Sequence, residues 1–68
     1  MGQLNVTVQR IEKVIVDKGM DPVQARGLIG MKAGFFLITI RPDTPDDPER
    51  LTSLRRAAEE VLGQSMPF

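Results

Sequence analysis

Sixty-eight residues make one small domain, and a chain of that length hides only about 60% of the surface it exposes when unfolded, which leaves it marginally stable alone. It contains no cysteine and no histidine, which excludes disulfides and the usual zinc ligands and leaves oligomerisation as the remaining staple for a small domain. Nine Lys plus Arg against nine Asp plus Glu sum to zero net charge, so no global field draws the chain towards nucleic acid or an anionic membrane.

Tyrosine and tryptophan are absent as well. The side chains most used for proton transfer near neutral pH, for thiolate chemistry and for ring stacking are therefore missing, and a non-enzymatic protein without a cofactor is expected. A hydrophobic content of 41% is near the globular norm. No apolar run reaches the roughly 18 residues of a membrane span; residues 28–40 come nearest and Lys32 interrupts them. The chain opens without a basic segment followed by an apolar run, so a cytoplasmic address is expected.

From Leu4 to the ninth residue apolar and polar side chains alternate, with Leu4, Val6 and Val8 against Asn5, Thr7 and Gln9. That is the pattern of a half-buried strand. Leu4, Val8, Ile11 and Ile15 also fall at helical spacing, so one helix over residues 4–18 competes with a strand followed by a shorter helix. The β-branched run Val6, Thr7, Val8 favours the strand. Gly19 suits a left-handed helix end, with Met20 closing a Schellman motif over Ile15. Asp21 then suits an N-cap, Pro22 the first helical position and Gln24 a capping box, with Met20 placed to staple against Ala25. Gly27, Gly30 and Gly34 weaken this second helix, which should end near Met31. Gly27 and Gly30 are expected to pack closely against another backbone, with Gly34 as the stop.

Residues 35–40 read F-F-L-I-T-I, the most strand-prone stretch in the chain. A strand there puts Phe36, Ile38 and Ile40 on one face and Phe35 and Leu37 on the other. Such a central strand has two edges to pair, and the chain offers at most one other strand, so a second copy is expected to complete the sheet. Phe35, Phe36, Leu37, Ile38 and Ile40 are then the candidate oligomer interface, with a dimer favoured. Residues 41–48 form a stiff loop, because Pro42, Pro45 and Pro48 remove donors and bias their neighbours against helix. The last helix opens near Pro48 with Asp46 or Asp47 as N-cap and runs to Leu62 before Gly63. Its expected buried stripe is Leu51, Leu54, Ala58, Val61 and Leu62. Arg55 with Glu59 and Arg56 with Glu60 are expected to pair on the wet side. The tail 64–68 either frays or docks Phe68 into a groove.

The fold class expected is thus α+β, a β-α-α-β-α domain over residues 1–63 with a sheet shared between copies; a mostly α chain with one strand is the alternative. No motif carries chemistry. Asp43, Asp46, Asp47 and Glu49 could hold a hard cation, but acids at a helix start are explained by capping. The glycines around Lys32 precede a strand rather than a helix, the wrong order for a phosphate-cradling loop. The function expected is a small homo-oligomeric protein-interaction module, acting as an adaptor, assembly subunit or regulator of another protein. The alternative is a dimeric DNA-binding regulator of ribbon-helix-helix or helix-turn-helix type, in which Asn5, Thr7 and Gln9 face bases and Arg26 and Lys32 meet phosphates.

Overall fold

Leu4, Ile11 and Ile15 have no solvent exposure and Val8 is buried beside them, which settles the competition at the N-terminus in favour of the helical period. The computed structural model, which describes residues 2–65, has a continuous helix α1 (Gln3–Asp17) there. The expected strand over residues 4–9 is therefore corrected to helix. Alternation would have put Val6 with Leu4 and Val8, yet Val6 is only half-buried while Asn5 and Thr7 are buried. One turn of helix brings Leu4 and Val8 together with Ile11 and Ile15 on a single stripe, and that burial outweighs the modest β preference of three residues.

The end of α1 follows the local chemistry. Gly19 adopts φ 72°, the Gly19 N–H donates to the Val16 carbonyl and the Met20 N–H donates to the Ile15 carbonyl, the two bonds of a Schellman motif. Helix α2 (Pro22–Ala33) opens on Asp21, whose carboxylate accepts from the Val23 and Gln24 N–H groups. It runs past the expected stop at Met31 and closes on Gly34 at φ 87°.

The second correction concerns residues 35–40, which are not a strand. They leave α2, cross it closely and form a 3₁₀ turn (Leu37–Thr39). The Thr39 and Ile40 N–H groups donate to the Phe36 and Leu37 carbonyls, and the Thr39 hydroxyl donates to the Phe36 carbonyl at 2.6 Å. The segment thus turns on itself through the Phe36 and Leu37 carbonyls instead of running along a sheet edge, and no strand occurs among the described residues. The three-residue period of such a turn puts Leu37 and Ile40 on the same side. Both are buried, Phe35 is half-buried, and Phe36 and Ile38 face solvent. The α+β class and the sheet completed by a second copy are both corrected to a three-helix domain.

Helix α3 (Pro48–Leu62) starts on Asp47, which accepts from the Glu49 and Arg50 N–H groups, and ends on Gly63 at φ 70°. It buries Leu54, Ala57, Ala58 and Leu62, with Leu51 and Val61 packed at the margin. One core joins the three helices to Leu37 and Ile40. The tail residues 66–68, and with them any docking of Phe68, lie outside the described residues.

The two neighbouring aspartates divide the work. Asp47 caps its own helix, while Asp46 reaches back across the fold and accepts the Gln3 N–H at 2.6 Å. Gly2 has no side chain to cap α1, so a carboxylate from the 41–47 loop supplies the negative charge that a helix start attracts. Asp46→Ala is expected to cost about 0.5–2 kcal/mol, as loss of an N-cap does. Asp46→Asn should retain much of that in urea unfolding, because the amide oxygen still accepts; equal loss in both variants would show that charge, not the hydrogen bond, is what matters.

Candidate interaction surface

Helix α2 carries two cations, and both turn sideways. The Arg26 guanidinium meets the Glu12 carboxylate of α1 at 3.3 Å and also donates to the Pro22 carbonyl. The Lys32 ammonium meets Glu60 of α3 at 3.2 Å. Exposed pairs of this kind add little stability. Their effect is geometric: the positive charges of α2 are drawn to its flanks, and Glu60 is engaged by Lys32 where a pair with Arg56 was expected.

What remains on the outer side of α2 is uncharged. Val23 is 73% exposed, Leu28 44% and Met31 77%, and Gln24 and Gly27 lie exposed among them. Val23, Gly27 and Met31 follow one another at one-turn spacing, so they share a face. The 3₁₀ turn extends that face with Phe36, 69% exposed, and Ile38, 87% exposed. Two shallow hollows lie on either side of Phe36. One, of 190 Å³, is lined by Val23, Arg26, Gly27, Phe36, Leu37 and Ile38. The other, of 210 Å³, is lined by Gly30, Met31, Gly34, Phe35 and Phe36. Glycine appears in both linings because positions without a side chain leave room between neighbours that have one.

The five residues expected at an oligomer interface are therefore split by the turn. Phe36 and Ile38 stand on the surface, Leu37 and Ile40 are in the core, and Phe35 is half-buried with the Arg50 guanidinium 5.7 Å from its ring centre. The residues expected to meet DNA do not converge. Asn5 and Thr7 are turned inward on α1, Gln9 is exposed, and Arg26 and Lys32 are engaged by carboxylates. The ribbon-helix-helix arrangement needs a strand where α1 has its first two turns. Val23, Leu28 and Met31 were missed by sequence reasoning, although a signal exists: positions 23, 24, 27, 28 and 31 of an exposed helix carry no charge.

Among the described residues no group of three or more acidic, histidine or cysteine side chains is placed to hold a metal ion, and no helix is long and apolar enough to cross a membrane. Comparison with protein-family models, with curated proteins and with solved structures found no match to this chain.

Proposed function

We propose that this chain is a small non-enzymatic, homo-oligomeric protein-interaction module, serving as an adaptor, assembly subunit or regulator. The observation that supports this reading is the exposure of five large apolar side chains, Val23, Leu28, Met31, Phe36 and Ile38, on α2 and the adjoining 3₁₀ turn of a domain of this size. Exposed apolar patches of several hundred Å² mark association sites in soluble proteins. Residues 35–40 form a 3₁₀ turn and present no strand edge, so it is the exposed apolar side chains, not unpaired backbone, that favour association. Lack of His, Cys and Tyr fits a role in binding rather than in proton or group transfer. A chain without cysteine also loses nothing in a reducing compartment, so the proposal extends to a cytoplasmic setting.

Sedimentation over a dilution series tests the reading. Apparent mass is expected to rise above the 7.6 kDa of one chain as concentration increases and to fall back on dilution. A particle of single-chain mass from micromolar to millimolar concentration overturns it.

A further inference from the structure

We infer that residues 35–40 are a latent cross-β segment, which the folded chain holds in its 3₁₀ turn against α2 and so keeps from stacking on the same residues of other copies. The native molecule is a three-helix domain; strands arise only in chains whose segment has come away from the core.

Composition supplies the first ground. F-F-L-I-T-I carries no charge, no proline and no glycine, and each of its residues except Leu37 is aromatic or β-branched, the types that favour extended pairing. Six-residue runs of this kind stack in register with identical copies, since every backbone group then finds a partner above and below and like side chains interlock in dry rows. The partner is therefore the same segment, and no complementary surface is required. Extended, the run would place Phe36, Ile38 and Ile40 on one face and Phe35 and Leu37 on the other, so a stack of it is apolar on both sides. Its ends are marked as well: Gly34 precedes it and Arg41 and Pro42 follow, and a charge beside a proline interrupts β pairing.

The turn supplies the second ground, because it holds the segment at few points. Leu37 and Ile40 are buried and Phe35 packs at the margin of the core. The backbone of residues 35–37 lies against Gly30, where a Cβ would be 3.0 Å from the Phe35 carbonyl oxygen. Phe36 and Ile38 face solvent, 69% and 87% exposed, so two of the apolar side chains are already outside the core. The bonds that the Thr39 and Ile40 N–H groups donate reach back three residues and lie outside the helices. Docking against α2 is thus an autoinhibitory contact, and local opening at residues 35–40 releases the strand.

Thioflavin fluorescence and fibre diffraction test this. The wild-type chain held just below its melting transition is expected to form fibrils with a repeat of about 4.7 Å along the axis, the spacing of stacked strands. Gly30→Val crowds the docking site and should shorten the lag several-fold, whether the variant folds loosely or not at all. Ile38→Lys alters a side chain that is 87% exposed, so the chain should fold as wild type by circular dichroism. It sets like charges beside one another in the stack, however, and should abolish fibrils. Gly30→Val combined with Ile38→Lys should be as open as Gly30→Val and still form none. Val16→Lys, at a position 64% exposed on α1, adds the same charge outside the segment and should leave the lag unchanged. If wild type and Gly30→Val both stay free of fibrils, or if Ile38→Lys forms them as fast as Val16→Lys, the inference is overturned. A protease-resistant fibril core that omits residues 35–40 overturns it too. Sedimentation of the native chain is a separate measurement, so the homo-oligomeric reading and this inference can fail independently.

Discussion

Ile11→Ala is expected to remove about 2–5 kcal/mol of stability, the range for truncating a fully buried aliphatic side chain. Ile11, on α1, has no solvent exposure and belongs to the single core. A domain of this length has a total of only about 3–10 kcal/mol to lose, at about 0.05–0.15 kcal/mol per residue. With a urea slope of about 1 kcal/mol per molar for so small a protein, the unfolding midpoint should drop by roughly 2 M or more, or the variant should fail to fold. Ile38→Ala removes the same atoms from a residue that is 87% exposed. Measured at a dilution where the chain is monomeric, it should stay within about 0.5 kcal/mol of wild type. The pair is decisive because a central strand over residues 35–40 would bury Ile38 and make the two losses comparable. Comparable losses would overturn the 3₁₀ turn described here.

The contrast between these two isoleucines also marks where sequence reasoning stops. Signals that act over one helical turn were legible: Gly19, Gly34 and Gly63 end helices in left-handed conformations, and Asp21 and Asp47 cap the helices that begin on Pro22 and Pro48. Each of these is decided by a residue's own φ or by a donor two or three positions away. Residues 35–40 were misread because apolar density and β-branching say that a segment wants burial, not which backbone partner it will find. With no strand beside it, the segment turns over Leu37–Thr39 and sends Leu37 and Ile40 into the core. In α1, Leu4 and Val8 fit both periods, and only Ile11 and Ile15, further along, distinguish them. The Asp46 cap on Gln3 joins positions 43 residues apart, and nothing local announces it. The exposed apolar surface was half legible for a related reason. Phe36 and Ile38 stand out by composition alone, but Val23, Leu28 and Met31 become a face only once α2 is known to turn its cations towards α1 and α3.

Gly30→Val is expected to cost about 1–3 kcal/mol, even though valine is the better helix former. The atoms that crowd position 30 are backbone: the Phe35 carbonyl oxygen at 3.0 Å, the Phe36 Cα at 3.6 Å and the Leu37 nitrogen at 3.9 Å from the site of a Cβ. A flexible side-chain tip can step aside; a chain segment anchored by Leu37 and Ile40 in the core cannot move without loosening both, which is the usual cost of overpacking. Gly27→Val makes the same chemical change into open space on the same helix. Its expected effect on the monomer is a gain of a few tenths of a kcal/mol from helix propensity. The two variants should therefore move the urea midpoint in opposite directions. Gly30→Val should also speed hydrogen exchange at the Ile40 amide, which donates to the Leu37 carbonyl, because the displaced segment includes that turn. Equal stability effects at the two positions, or an Ile40 amide as protected as in wild type, would mean that residues 35–37 are not held against α2. The shelf that presents Phe36 and Ile38 beside Gly27 would then be lost with them.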